Sequence, residues 1–440
     1  MLFRSGFDWA IDAARRTRLR GGAGVFASRA PLLWYLTPLR SDGATIRTLT
    51  CVGSAPAFTP SVSTPPGACA NGRTFGAGPV FLVDPGLAMP RAFRSSLALD
   101  RRLPWDVGAT VEGLWSRTLS DLRLENRRLA GLRGTDRRGR VLYGAIPSSG
   151  VAVPDTVPGY PEAFALRNHS AGHALMLTLS LDKRFSDRLE ATASYTRSRV
   201  RDVQLLVPEN GAAAAWRSRF VAGRHGEDRA ETSLNELPHR VVVAGTWSTP
   251  WRRWRTSVSL SYIGETGVPF TFADSAAGGL GDLNADGTNG NDPIYVPRDA
   301  RDTAEIVFAG SPAEIATQQQ AFERFIESTA CLRRQRGRIV APNSCRAPWV
   351  HSSSLAIRQS LPVVRGRDLS LHVELFNVLN LLNADWGLLR TPNSALLQHV
   401  GQTPGPSAQP VFRYDPARAA TSTLNLESGY QLQVGVRYGF

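Results

Sequence analysis

The chain has 440 residues, 42% of them hydrophobic, with a formal net charge of +14 and a mean hydropathy of −0.18. Nowhere do about 18 apolar residues run together, which excludes a membrane-spanning helix; a transmembrane β-barrel fits, because its strands are only half apolar. The positive charge is nearly all arginine, Lys183 being the only lysine, and the arginines are scattered without a basic helix or RNA-binding motif, so nucleic acid is not an expected partner.

From the N-terminus onward, the dominant pattern is alternation of apolar and polar residues with period two, the signature of a half-buried strand. Met1 to Trp9 contains neither the apolar core nor the small-residue cleavage site of an export signal. Weak alternation runs through Phe3–Ile11 and Leu19–Val25, with a tight turn at Asp12–Arg16. Phe93–Leu103 and Trp105–Trp115 meet at Pro104, and Glu112 falls on the polar side of the second. Leu175–Leu181 and Leu189–Tyr195 flank the turn at Phe185–Leu189, with Glu190 on the polar side. Val241–Trp247 and Ser257–Tyr262 flank Pro250–Trp254. Leu355–Leu361 and Leu369–Leu375 flank Pro362–Arg367. The chain closes on a regular alternation from Tyr430 to Phe440. These are about eleven strands, each near the length that spans a tilted bilayer crossing.

The connections discriminate between a soluble sandwich and a membrane barrel. Tight turns alternate strictly with long segments near 27–91, 117–170, 200–238, 266–348 and 379–428. Compact soluble domains keep most connections short, whereas outer-membrane barrels place short turns on the periplasmic side and long loops outside. Trp105, Phe185, Trp251, Trp254, Tyr438 and Phe440 cluster at the tight-turn ends, and Trp115, Tyr195 and Tyr262 toward the other, as two interfacial girdles require. The expected fold is all-β, a transmembrane antiparallel barrel in contact with outer-membrane lipid. The long loops are rich in Gly, Pro, Asn, Asp and Arg and are expected to be solvated, with one helix from Pro312 to Arg333 opened by Ser311-Pro312.

On the polar strand faces, Glu112, Glu190, Arg358, His372, Glu374 and Arg437 are candidates for a water-filled lumen. Four cysteines allow three pairings; their positions suggest two local pairs, Cys51–Cys69 and Cys331–Cys345, with free thiols as the competing reading. Asp282-Leu-Asn284-Ala-Asp286-Gly287 matches the first half of a calcium loop, with alternate oxygen ligands and a turning glycine. The twelfth position is Pro293 in place of the bidentate Glu, so an Asn/Asp/Gly-rich surface turn is the preferred reading and no cofactor is expected. No G-x-S-x-G elbow, P-loop or dinucleotide motif is present, and the chain reads as non-catalytic.

Leu371-His-Val-Glu-Leu-Phe-Asn-Val-Leu-Asn380 resembles the penultimate-strand motif of TonB-dependent outer-membrane receptors, which also end in a strand like Gly429–Phe440. Arg20-Gly-Gly-Ala-Gly-Val-Phe26, Leu103-Pro-Trp-Asp-Val107, Tyr195-Thr-Arg-Ser-Arg199, Leu237-Pro-His-Arg240 and Asp282-Leu-Asn-Ala-Asp-Gly287 resemble the Oar-like subgroup, as does the run from Phe325-Ile-Glu through Cys331 to Asn343-Ser-Cys-Arg346. The resemblance implies a 22-stranded barrel around a plug, driven by the TonB–ExbB–ExbD system, for uptake of an extracellular ligand. It further implies that this chain is the C-terminal half of the barrel, without signal peptide, TonB box or plug, and that Tyr438 and Phe440 present the signal to the barrel-assembly machinery. The alternatives are a self-contained small porin, in which the first and last strands pair, and an adhesive or structural surface protein.

Overall fold

The computed structural model describes residues 3–14, 16–29, 32–45, 49, 51–60, 63–64, 66–74, 78–206, 211–251, 254–276, 279–362, 368–405, 408–419, 421–424 and 428–439. Eleven strands form one continuous antiparallel sheet in sequence order. They are β1 (Phe3–Ala10), β2 (Thr17–Ala27), β3 (Arg91–Leu103), β4 (Val107–Asn126), β5 (His173–Ser186), β6 (Leu189–Asp202), β7 (His239–Ser248), β8 (Thr256–Glu265), β9 (Val350–Pro362), β10 (Asp368–Phe376) and β11 (Gln431–Gly439). No helix among the described residues is long and apolar enough to cross a membrane.

The register follows the alternation read from the sequence. Leu181 on β5 lies opposite Ala109 on β4 and Ala193 on β6. Leu260 on β8 lies opposite Gly245 and Leu355, and Leu371 on β10 opposite Val436. All of these share one face, and on it Leu177, Leu181, Val243, Leu260, Leu432 and Val436 are exposed. A face built of exposed leucine and valine across a whole sheet is unstable against water and matched to lipid. The opposite face carries hydroxyls and charges that bond across strands. Thr178 and Thr196 hydroxyls are 3.0 Å apart, Thr246 and Ser259 3.0 Å, and Ser248 and Ser257 2.9 Å.

β1 and β11 stand at the two edges and do not pair with each other among the described residues. The self-contained small barrel needs that pairing. Trp105, Phe185, Trp251, Trp254 and Tyr438 at the tight-turn end are all exposed on the surface, as an interfacial girdle requires. At the other end, Tyr195 and Tyr262 place their hydroxyls 2.7 Å from His239 Nδ1 and 2.8 Å from His351 Nδ1. Phe440 lies outside the described residues.

The expectation of solvated loops does not hold. The segments after β8 and β10 fold together into a domain with its own core. Its four-stranded sheet interleaves them: Ala273–Ala276 pairs parallel with Ala395–Gln402, which pairs with Pro410–Tyr414, which pairs parallel with Val307–Phe308. The helix Pro312–Ser328 packs on this sheet through Phe322 and Ile326, against Phe272, Ile294, Ile306, Phe308, Leu396 and Phe412. Its start follows the expected chemistry: Ser311 accepts from the Glu314 N–H and Glu314 accepts from the Ser311 N–H, a capping box. It ends at Ser328, and a separate turn covers Ala330–Arg333. A second core joins Trp34, Phe81, Phe164, Leu166 and Trp216 from the earlier long segments to Leu122 and Leu124 at the outer end of β4. β4 runs 20 residues, and its outer end pairs with Ala163–His169, which pairs parallel with Val80–Val83. The loops are polar on average, yet each brings a few large apolar side chains, too widely spaced to show a period, that meet only when the loops meet.

Candidate functional site

The register puts all six polar-face candidates on the same side of the sheet, in three places. Glu112 lies opposite Thr178, and its carboxylate is 3.9 Å from Arg20. Arg20 in turn bonds Asp100 at 2.9 Å, and Thr110 donates to Asp100 at 2.8 Å. Asp8 and Arg18 extend this ladder of opposite charges across β1 to β4. Glu190 sits by the tight turn between β5 and β6, opposite Arg184 and Thr246. The other four gather on β9 to β11. Arg358 lies opposite His372, Glu374 opposite Gln433, and Arg437 opposite Ser370. His372 Nε2 and Ser370 Oγ are 2.9 Å apart. Among the described residues no carboxylate hydrogen-bonds the His372 ring, so no Ser–His–acid set forms there.

The motif Leu371–Asn380 has a structural reason. β10 stops at Phe376, and Asn377 takes the left-handed conformation at φ 51°. Its buried amide donates to the Gly387 carbonyl at 3.1 Å and the Ser428 carbonyl at 2.5 Å. Asparagine tolerates this backbone and bonds locally, and a Cβ on residue 387 would strike its side chain. The asparagine therefore fastens the long segment after β10 back to the start of β11.

Above the sheet, the outer domain has several buried ionic ties between residues far apart in the chain, which no local motif marks. Glu236 is buried; one carboxylate oxygen accepts from the Val200 N–H at 2.7 Å and the other pairs with Arg346. It links the segment after β6 to the one after β8. Arg140 donates to Asp292 at 3.0 Å and to the Pro293 carbonyl at 2.6 Å. Arg138 lies over the Tyr295 ring at 5.6 Å and donates to Gln409 at 2.9 Å, lining a cleft of about 150 Å³ with Glu305, Gln402 and Phe412. Burial lowers the Arg138 guanidinium below its ordinary range. A second cleft of about 110 Å³ holds Arg219, which burial beside Arg123 brings down to about 10.

Cys51–Cys69 and Cys331–Cys345 are disulfides, with Cα atoms 5.6 and 5.3 Å apart. The second joins the turn Ala330–Arg333 to the strand Cys345–Arg346. The preferred reading of Asp282–Gly287 as a surface turn is corrected: Asp282, Asn284 and Asp286 are all buried. They are covered because the loop lies between the sheet strand Ala273–Ala276 and the segment carrying Arg140 and Tyr143, whose N–H donates to the Asn284 carbonyl at 2.8 Å.

The profile of the outer membrane beta barrel domain matches residues 4–410. No curated protein sequence matches the chain. Solved structures similar to the chain at low identity include the following three. The ferric preacinetobactin receptor BauA of Acinetobacter baumannii is 8% identical over 99% of this chain and 36% of its own, with a TM-score of 0.37. The ferric enterobactin receptor PfeA of Pseudomonas aeruginosa, as a mutant, is 11% identical over 92% and 38%, at 0.39. The outer membrane transporter YddB of Escherichia coli is 10% identical over 98% and 40%, at 0.43. The chain thus spans 36% to 40% of the length of these structures.

Proposed function

We propose, from the premise that this chain belongs to the outer membrane beta barrel domain family and resides in the bacterial outer membrane, that it forms barrel wall and outer domain of a TonB-dependent receptor for a scarce extracellular ligand. The observation that carries this reading is the asymmetry of the sheet. One end has only short turns; the other carries five long segments, two of which fold into a packed domain. A passive pore has no need of such a domain, whereas capture of a dilute solute needs a preorganised surface. In this reading the polar face is the lumen, and Glu112, Glu190, Arg358, His372, Glu374 and Arg437 line the route that a captured solute follows. The energy would come from the TonB–ExbB–ExbD system acting through parts of the receptor that precede this barrel wall, and Tyr438 and Phe440 would be read by the barrel-assembly machinery. The Oar-like subgroup is the finer assignment that Arg20–Phe26, Leu103–Val107, Tyr195–Arg199 and Leu237–Arg240 favour.

The test compares solutes depleted from spent medium by three strains: wild type, a strain lacking this gene, and a strain lacking TonB. At least one solute should be taken up by the wild type and left by both mutants. Depletion that persists without TonB, or that does not change when the gene is removed, overturns the reading.

A further inference from the structure

We infer that the outer domain binds one calcium ion between the loop Asp282–Asp292 and the sheet strand Ala273–Ala276, with Asp274, Asp282 and Asp292 as charged ligands and Asn291 as a neutral one. The inference is independent of the transport reading.

Four carboxylates share this buried region. Asp274 is 1% exposed and Asp292 0%, and Asp282 and Asp286 are 3% exposed. Against them, among the described residues, stand the Arg140 guanidinium on Asp292 and the His225 imidazole, whose Nε2 is 2.7 Å from Asp286. Burying a carboxylate without a counter-charge or a full set of donors is strongly unfavourable. Asp282 and Asp286 use backbone donors: Asp286 and Gly287 N–H to Asp282 at 3.0 and 2.8 Å, and Thr288 N–H to Asp286 at 2.8 Å. Asp292 accepts from the Leu283 N–H at 2.7 Å.

Asp274 differs from these. Neither of its carboxylate oxygens has a hydrogen-bond partner, and neither do the amide oxygen and nitrogen of Asn291, which is 3% exposed. Asp274 is held at the site by its backbone, whose N–H donates to the Asp292 carbonyl at 3.2 Å. The charged groups acting on its carboxylate are Asp292, Arg140 and Asp282. A divalent ion would supply the counter-charge and the partner that the buried Asp274 carboxylate lacks.

The donors are all oxygen or amide, which selects a hard cation. Among the described residues no three carboxylate, thiolate or imidazole side chains already converge at ligating distance. The ion would therefore draw in the two unpartnered side chains, Asp274 and Asn291, and take carbonyls and the Asp282 and Asp292 oxygens around them. Calcium accepts such flexible sets of six to eight oxygens, while magnesium demands a near-ideal octahedron and keeps its waters. Extracellular calcium modules bind with dissociation constants on the order of 10⁻⁴ to 10⁻³ M, which is the range expected here.

The experiment uses the purified full chain in detergent micelles, stripped with EDTA. Equilibrium dialysis against labelled calcium should give one ion per chain, and Asp274→Asn combined with Asp282→Asn should weaken binding at least tenfold. Thermal unfolding gives the second measurement. Calcium should raise the Tm of the wild type. In EDTA the single variant Asp274→Asn, which removes an unpartnered buried carboxylate, should unfold at a higher temperature than the wild type and gain nothing from calcium. Absence of calcium binding by the wild type at millimolar concentration overturns the inference. So does wild-type affinity in the double variant, or a lower Tm of Asp274→Asn in EDTA.

Discussion

At the scale of single residues, the outer domain depends on buried charges whose partners come from distant segments. The Arg140 side chain is 7% exposed and that of Asp292 0%. Truncating one member of such a pair leaves the other charged and uncompensated, which costs about 3–5 kcal/mol. Arg140→Ala should therefore destabilise the outer domain by that amount and lower its unfolding midpoint, while the strands below keep theirs; protease cleavage within residues 266–348 at rising temperature reads the shift. His169 gives a pH signature. It is buried near Arg123, and burial lowers its pKa below the ordinary 6.5. The unfolded chain takes up a proton near pH 6.5 that the folded one refuses, so stability is full above that value. It falls as pH drops below it, by at most about 1.4 kcal/mol per pH unit. His169→Phe should flatten this slope between pH 6.5 and the lowered pKa; an unchanged difference between the two curves would refute it. Arg140 and His169 gave no sign in the sequence, because nothing local to either residue marks the partner that buries it.

Among the elements, the strands were legible because the constraint is local. A strand with lipid on one side and polar groups on the other must alternate, and Leu175–Leu181, Leu369–Leu375 and Gln431–Gly439 all do. The two faces then make opposite predictions for the same substitution. Leu181 points from the apolar face of β5, midway between its girdles, and Ser180 from the polar face. Leu181→Arg should cost about 2–4 kcal/mol in a bilayer, and Ser180→Arg should cost well under half of that; guanidinium unfolding in lipid vesicles compares them. Equal losses would mean that the apolar face does not meet lipid. The helix Pro312–Ser328 was also legible, since its capping box lies within four residues. Ser311→Ala should destabilise the outer domain by about 1 kcal/mol. The loop strands were not legible. Val307–Phe308 and Ala273–Ala276 are two and four residues long and acquire their conformation only from parallel partners about a hundred residues away.

For the whole molecule, two kinds of stabilisation meet at the membrane surface. Below it, backbone pairing in register holds the sheet. Above it, a soluble-type core, ionic ties and the Cys331–Cys345 disulfide hold the outer domain. A loop of this size closed by a disulfide contributes about 3 kcal/mol through the unfolded chain. Replacing both cysteines by serine should make the outer domain cleavable by added protease on intact cells at growth temperature, with the amount of inserted protein unchanged. A fall in inserted protein instead would show that the disulfide serves assembly. The loop Asp282–Gly287 marks the limit of what local sequence reveals. Asp282, Asn284 and Asp286 were visible as a half-motif, but Asp274 enters from the strand Ala273–Ala276 and Arg140 from the segment after β4, and their arrival turns a surface turn into a buried charge cluster.

The interleaved outer sheet also constrains inheritance. Its strands come from the segment after β8 and the segment after β10, in the order first, second, second, first, so that the earlier stretch flanks the later one. Neither stretch can be lengthened, shortened or exchanged with a relative's alone without stripping partners from the other. A recombination event that falls between β9 and β10 would join two halves that were never selected together. Variation in what this surface recognises must therefore be confined to its rim or carried by both stretches at once, so that two pieces of gene separated by the coding sequence of a whole hairpin descend as one unit.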